Sequence, residues 1–177
     1  MLRMVSATSR RRFPERGLHL IDIENLAGAA NPSFGEVRDV QGRYAGRLTF
    51  GAFDQVVVAS SHLALLNAAL GWPHARYRVR SGRDGADLEL LDVLWRENAM
   101  TRFTRVTIGS GDGIFADAAD ALVAAGVPVT VVSRRDSLSA RLASAAGEVI
   151  YLDAAQSQAC RAALRTGEPF LPRLGLS

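Results

Sequence analysis

The chain of 177 residues contains no lysine, although it carries 21 basic side chains, all of them arginine. This absence excludes any mechanism that uses a lysine amine, and it leaves contacts with phosphate to arginine, which binds through two parallel hydrogen bonds. Cysteine is nearly absent too, because Cys160 is the only one. One cysteine forms neither an internal disulfide nor a cysteine-based zinc site, and it suits a reducing compartment. We therefore expect a cytoplasmic protein.

Long apolar runs are missing as well. No run approaches the roughly 20 residues that a membrane-spanning helix needs, so we predict no membrane partner. Residues 1–16 are rich in arginine, lack the apolar stretch of a secretory signal and predict a flexible basic arm. The rest has an ordinary globular composition, with 48% apolar and 22% charged residues. A formal net charge of +3 permits a polyanionic partner without requiring one.

Apolar runs alternate with segments of helical periodicity along the chain. Six runs resemble strands: Leu18–Glu24, Gln55–Ser60, Arg76–Arg80, Arg105–Gly109, Val127–Ser133 and Val149–Leu152. Helices are predicted near Phe34–Arg47, Ser61–Ala69, Ala86–Ala99, Ile114–Ala125 and Leu138–Ala145. This alternation predicts one α/β domain over residues 17–153, a three-layer, doubly wound, mainly parallel Rossmann-like sheet with helices on both faces. Residues 154–177 predict a C-terminal helix and tail.

One strand carries three arginines on a single face. Arg76, Arg78 and Arg80 follow the two-residue period of a strand, and a central strand could not bury them. We therefore predict an edge strand with a solvated face. Arg80, nearest the carboxyl end, is the arginine expected to reach a ligand.

Carboxylates follow three of the predicted strands. In parallel sheets ligands bind beyond the carboxyl ends of the strands, where Asp22, Asp87 and Asp112 are expected to meet. Asp22 shares a predicted strand face with Glu24, and a charge among apolar residues is costly unless it is paired or bound to a cation. Its alternative role is to cap a neighbouring helix.

Asp87 projects from the apolar stripe of its predicted helix, which is formed by Leu88, Leu90, Leu91, Leu94 and Trp95. Asp84 fits an N-cap with Asp87 as its reciprocal partner, so a capping box is the structural alternative for both. The direction of Asp87 favours a functional role for it and a structural role for Asp84. Asp92 lies on the opposite side and needs only solvent.

Asp112 lies in a glycine-rich turn, where the structural alternative is an N-cap on the next helix. Asp117 lies at the border of that helix and either joins the acidic cluster or favours the helix dipole. Several carboxylates in one crevice need protons or cations. Oxygen ligands without histidine or cysteine suit Mg²⁺ or Mn²⁺, and the three histidines have no metal-binding spacing.

Asp22–Asn25 as D-x-x-N after a strand, Asp87 after a third strand, and Ser110–Asp112 as SGD resemble the NYN branch of the PIN-like nucleases. The similarity spans roughly Gly17 to Asp153. It implies a sheet of order 3-2-1-4-5 and metal-dependent cleavage of RNA phosphodiester bonds. It also implies Asp22, Asp87 and Asp112 as catalytic metal ligands, with Asn25 as an organiser beside them.

One position departs from that pattern: Ile114 stands where the family commonly has a second aspartate, and Asp117 is the candidate substitute ligand. For contact with the RNA substrate we expect Ser110, Arg80 and Arg83. The sequence leaves open whether the chain acts alone or as a homo-oligomer.

Two other functions stay open. The first is a haloacid-dehalogenase-like phosphatase, because "GDGIFAD" resembles the fourth motif of that group. In such an enzyme Asp22 would be the nucleophile and Ser60 would supply a hydroxyl. Against this function, Glu24 stands where the group has an aspartate as its general acid. A non-catalytic PIN-like protein would bind RNA or regulate a partner, and its acidic cluster would be bridged by arginine. A dinucleotide-binding module fits less well, because Ile114 takes the place of the third glycine.

Overall fold

The structure, a computed structural model, describes residues 15–153. It contains six strands: β1 (Gly17–Asp22), β2 (Gln55–Ser60), β3 (Arg76–Val79), β4 (Arg105–Gly109), β5 (Val129–Ser133) and β6 (Glu148–Tyr151). Its α-helices are α1 (Ile23–Ala27), α2 (Phe34–Ala45), α3 (Leu65–Gly71), α4 (Gly85–Arg96), α5 (Ala99–Arg102), α6 (Ala116–Ala124) and α7 (Ala140–Ala145), and a 3-10 turn spans Gly113–Phe115. The predicted C-terminal helix and tail, and all but two residues of the predicted basic arm, lie outside this range.

All six strands are parallel, in the order β3-β2-β1-β4-β5-β6. The predicted three-layer α/β fold is therefore confirmed, and β6 extends the expected five-strand order by one strand beyond β5. Each pair of neighbouring strands is parallel, so all strand carboxyl ends meet at one edge. The helices between strands are the connections that such pairings require.

Two apolar cores cover the two faces of the sheet. Leu18 and Leu20 of β1 pack with α4, α6 and α7 on one face. Ile21, one residue on, packs with α1, α2 and α3 on the other face. This separation follows from the two-residue period of a strand, and it explains why the central strands are apolar throughout.

The first strand is shorter than predicted. β1 ends at Asp22, and Glu24 lies in helix α1 instead of on a strand face. The reason is local: the Asp22 carboxylate accepts a hydrogen bond from the backbone N–H of Asn25 at 3.1 Å, so it caps α1. Gly28 ends this short helix in the left-handed conformation, with φ of 72°.

Three other elements begin or end at residues that differ from the predicted ones, also for local reasons. Helix α4 ends at Arg96, before the predicted Ala99, and Asn98 just beyond it has a positive φ of 52°. Helix α7 begins at Ala140 because Ser139 caps it by accepting the backbone N–H of Leu142. Pro128 precedes β5, which begins two residues later than predicted.

The edge position of β3 is confirmed, but its arginine face is not merely solvated. Arg76 pairs with Glu97, and Arg78 pairs with both Glu89 and Asp92. The prediction that Asp92 needs only solvent was therefore wrong. These pairs join the edge strand to the helix beside it, whereas Arg80, just beyond the end of the strand, forms no ion pair with any of residues 15–153.

Candidate active site

The last residue of β1 places a carboxylate at the carboxyl edge of the sheet. Asp22 is only 5% exposed and caps α1. Burial raises its pKa, while the hydrogen bond from the backbone of Asn25 opposes that rise. Because the strand ends here, the side chain stays at the sheet edge with one hydrogen bond supplied by the helix that follows.

Asp87 lies beside Asp22, in the first turn of α4. The two carboxyl groups interact directly, and both are buried. One oxygen of Asp87, Oδ1, is buried without any hydrogen-bond partner. A buried unpaired oxygen costs free energy, so this atom is a place for a proton or a cation.

The electrostatics of the pair agree with that reading. Burial, followed by the negative charge of Asp22, raises the pKa of Asp87 to about 8, and Asp112 and Asp84 contribute in the same direction. Two adjacent carboxylates cannot both ionise cheaply. Near neutral pH the pair therefore carries either a shared proton or a bound positive charge.

Asp112 lies across the same pocket as Asp22 and Asp87. Its carboxylate caps the 3-10 turn by accepting the backbone N–H of Ile114 at 2.9 Å, so the capping alternative applies to this turn and not to helix α6, whose N-cap is Phe115. That bond takes up one oxygen and leaves the carboxylate lining the pocket. Ile114 contributes only its backbone N–H to this bond, and its side chain supplies no carboxylate where the NYN pattern commonly has a second aspartate.

Asn25 organises the turn that carries Asp112. Its side-chain oxygen accepts the backbone N–H of Gly111 at 2.9 Å and lies 3.5 Å from the hydroxyl of Ser137. Gly111 packs so closely that a Cβ there would lie 2.6 Å from the Ser133 hydroxyl and against the backbone of Ser137. The predicted organiser therefore contacts the backbone of the turn through its side-chain oxygen, while its own backbone carbonyl accepts a hydrogen bond from Arg134.

The pocket has a volume of about 350 Å³. Besides the three aspartates, charged side chains of Glu24, Asp84 and Arg80 line it. Glu24 was missed as a pocket residue, because it was placed on a strand face; in the structure its carboxylate accepts the backbone N–H of Ser61 at 2.7 Å. The available signal was Asp22 and Gly28, whose residue types suit the two ends of a short helix after the strand.

Three predicted site residues stand apart from the cluster: Asp117, Arg83 and Ser110. The side chain of Asp117 is 77% exposed and pairs with Arg141, so it does not reach the pocket. Arg83 has a side chain that is 95% exposed, 3.8 Å from Asp84. Asp84 lines the pocket and takes the N-cap position of α4, but it has a left-handed backbone and makes no capping hydrogen bond, so the capping box that was the structural alternative for Asp84 and Asp87 does not form.

Ser110, the third, is fully buried. Its hydroxyl accepts the backbone N–H of Asp112 at 3.2 Å. This bond stabilises the turn that carries Asp112. The residue therefore supports the site from behind instead of lining the pocket, which a residue in contact with substrate would do.

Within residues 15–153, no group of three or more histidine, cysteine, aspartate or glutamate side chains is arranged to hold a metal ion. The donor set still fits a hard cation in its chemistry, because Asp22 and Asp87 are in contact and one Asp87 oxygen lacks a partner. Among residues 15–153, no arginine forms an ion pair with Asp22, Asp87 or Asp112, so no arginine of that range bridges the cluster.

The helices of residues 15–153 include none that is long and apolar enough to cross a membrane. No protein-family model matches the chain, and no curated protein sequence matches it. Among solved structures, it is similar to the crystal structure of a protein of unknown function from Vibrio parahaemolyticus, with a TM-score of 0.51 and 18% sequence identity. The match covers 81% of this chain and 96% of the other. At that identity the likeness supports the three-layer α/β fold alone.

Proposed function

We propose that the protein is a metal-dependent ribonuclease that hydrolyses RNA phosphodiester bonds at the pocket formed by Asp22, Asp87 and Asp112. The observation that carries this proposal is the buried Asp22–Asp87 pair with its unpartnered oxygen. A carboxylate pair that only stabilised the fold would be expected to have its oxygens hydrogen-bonded. The resemblance to the NYN branch directs the proposal toward RNA.

Asp22 and Asp87 are the residues that would hold Mg²⁺ or Mn²⁺, with Asp112 facing them across the pocket. Such an ion, when bound, polarises a phosphoryl oxygen and favours attack by water. The chain itself contributes burial, which strengthens electrostatic interactions inside the pocket. Arg80, on the pocket wall, offers a guanidinium to a phosphate of the substrate.

Two features of the described residues favour catalysis over a purely binding role. A regulatory PIN-like protein would be expected to neutralise its acidic cluster with arginine, and no such pair is found among the ion pairs of residues 15–153. The pocket also remains open beside the carboxylates, with about 350 Å³ of space. Both features fit a site that takes a cation and a phosphate.

The test is cleavage of mixed single-stranded and structured RNA with Mn²⁺ or Mg²⁺. We expect wild-type protein to cleave, and Asp112→Asn and Asp87→Asn each to lose at least about 100-fold in rate, the scale of one electrostatic contact to the transition state. Asp117→Asn is the matched control, because it is the same substitution at a carboxylate that lies outside the pocket. It should cleave like the wild type.

A phosphomonoester substrate run in parallel separates the proposal from the phosphatase alternative. Turnover of the monoester without RNA cleavage would contradict the ribonuclease function and support the phosphatase alternative. Silence on both substrates, together with no binding of Mn²⁺ by calorimetry, would replace it by a non-catalytic binder.

A further inference from the structure

A second concave surface adjoins the acidic pocket. It is a groove of about 540 Å³ between the end of the edge strand β3 and helix α4. Arg80 lines both the groove and the acidic pocket, so the two spaces meet at this side chain. A polymer in the groove would therefore contact the same side chain as a phosphate in the acidic pocket.

The far end of the groove exposes an aromatic ring. Trp95 is 51% exposed and Leu88 is 38% exposed, although both belong to the apolar stripe of α4. The rest of that helix packs as expected, with Leu90 and Leu94 buried in the core. The predicted stripe is thus wider than the core needs, and its outer part forms one wall of the groove.

The charges of the groove leave one cation available. Arg78 pairs with Glu89 and Asp92, and Arg96 pairs with Asp92. Arg80 forms no ion pair within the described part of the chain, so it supplies the net positive charge of the groove. A cation at the junction with an acidic pocket suits a phosphate better than it suits an apolar protein surface.

We propose that this groove binds the single-stranded part of an RNA whose scissile phosphate lies in the acidic pocket. This inference rests on the proposed function. A base stacks on Trp95, and Arg80 binds a phosphate between that base and the cleavage site. Trp95 follows Asp87 by eight residues on one helix, which places them about 12 Å apart along its axis.

The aromatic ring selects for unpaired RNA. Exposed aromatic side chains bind nucleotides by stacking on the base face, and this contact tolerates any base. In a duplex the base faces are covered by neighbouring base pairs, so only an unpaired segment can stack on Trp95. The groove thus predicts a substrate that is single-stranded on one side of the cleaved bond.

Binding is measured with the Asp112→Asn protein in Mg²⁺, so that hydrolysis does not consume the strand. The probes are a fluorescein-labelled ten-nucleotide oligoadenylate, an abasic strand of the same length and a duplex. We expect Trp95→Ala to weaken binding of oligoadenylate at least about fivefold, the range for loss of one base–aromatic stack. The same change should leave the abasic strand unaffected, whereas Arg80→Ala should weaken both.

Matched controls come from the same protein. Phe53→Ala removes an exposed aromatic ring from the loop before β2, and Arg38→Ala removes an exposed arginine from α2, which packs on the opposite face of the sheet. Neither should alter binding. Trp72 is only 4% exposed, so quenching of the intrinsic tryptophan fluorescence by oligoadenylate should disappear in Trp95→Phe.

Equal affinities of Trp95→Ala and its parent for oligoadenylate would overturn the inference, as would absence of binding or equal affinity for the duplex. So would a change of oligomeric state by sedimentation in Trp95→Ala with unchanged RNA binding, since the groove would then be a protein contact. Cleavage by the wild type separates the two proposals. If Trp95→Ala cleaves RNA with an unaltered KM, the proposed ribonuclease function holds and the proposed binding groove is contradicted. If RNA binding depends on Trp95 but the wild type does not cleave RNA, the groove holds and the ribonuclease function is contradicted.

Discussion

At the scale of single residues, the site depends on a carboxylate that the fold holds in an unfavourable place. Burial and the neighbouring Asp22 raise the pKa of Asp87 to about 8, and its Oδ1 has no partner. A carboxyl whose pKa is raised in the folded state stabilises the fold below its ordinary pKa, and that stability is lost as the pH rises toward the raised value. Cation binding reverses this loss, because it favours the ionised form.

Mn²⁺ should therefore stabilise the protein more strongly at pH 8 than at pH 6, because below the raised pKa the ion must displace a proton. At 100 times its dissociation constant, the ion adds about 2.7 kcal/mol to the free energy of unfolding, a Tm rise of at least about 5 °C. Differential scanning fluorimetry of wild type and Asp87→Asn checks this. The variant should lose the effect and Asp117→Asn should keep it; a rise retained in Asp87→Asn contradicts the assignment.

Gly111 is the second residue on which the site geometry depends. In Gly111→Ala the new methyl would meet the Ser133 hydroxyl and the backbone of Ser137, so the turn must move and Asp112 with it. We expect a loss of about 1–3 kcal/mol by urea unfolding and a larger relative loss of RNA cleavage. Gly42→Ala in helix α2, where a methyl has open space, should instead stabilise by about 0.5–1 kcal/mol with unchanged activity. Equal effects of the two changes would contradict the packing argument.

At the scale of elements, the site is assembled from three β–α connections, and Asn25 couples two of them. Asp22 and Asn25 come from the start of α1, Asp87 comes from the start of α4, and Asp112 comes from the turn after β4. The Asn25 side chain accepts the Gly111 N–H. One amide thus ties the turn carrying Asp112 to the helix capped by Asp22.

Asn25→Ala should leave the Gly111 N–H without its partner, at a cost of about 1–3 kcal/mol, and should lower the cleavage rate because the Asp112 turn is no longer held. Asn67→Ala is the matched control: that amide donates to the Pro32 carbonyl at 3.1 Å, outside the pocket. It should cost stability while sparing the rate. The cleavage rate and the free energy of unfolding in urea are measured for both variants and compared with those of the wild type. A normal rate in Asn25→Ala would mean that the turn holds its position unaided.

At the scale of the whole molecule, the two ends of the sheet have different tasks. Around the amino ends of the strands, buried His19 contacts the Tyr44 hydroxyl at 2.9 Å and Asp54 at 3.3 Å. Asp54 also accepts the backbone N–H of Gly17 and pairs with Arg105. These contacts join the loop before β2 to two strands, and none of these residues lines the acidic pocket. This end stabilises the fold, while the other end carries the candidate chemistry.

Acid should unfold the domain partly through His19. Burial lowers its pKa although Asp54 opposes the shift, so its stabilising effect is present above the ordinary histidine pKa of 6.5 and is lost as the pH falls. Burial alone would raise the pKa of Asp54, but the four hydrogen-bond donors around it lower that pKa. Asp54 therefore also stabilises the fold when it is ionised, and this stabilisation is lost as the pH falls further. Urea unfolding between pH 7.5 and pH 5.5 should show a flatter pH dependence in His19→Gln. The exposed His62→Gln should match the wild type, and an unchanged slope in His19→Gln contradicts the prediction.

The sequence by itself determined the order of elements, the parallel sheet and the edge position of β3. Those properties follow from local patterns, namely apolar runs at strand length, helical periodicity between them and three arginines at two-residue spacing in Arg76–Arg80. The same patterns brought Asp22, Asp87 and Asp112 to one sheet edge, because parallel strands share the direction of their carboxyl ends. Their joint placement around one pocket agrees with that expectation.

Only the tertiary structure decided how each side chain is used. Asp117 and Arg83 have the right residue types near the right turns, yet Arg141 pairs with the first and solvent surrounds the second. Ser110 is buried beneath the turn, and Trp95 of the apolar stripe is left half-exposed. Such outcomes depend on distances between residues far apart in the chain, which periodicity and spacing do not contain. The unpartnered oxygen of Asp87 exists only because β1 and α4 meet there.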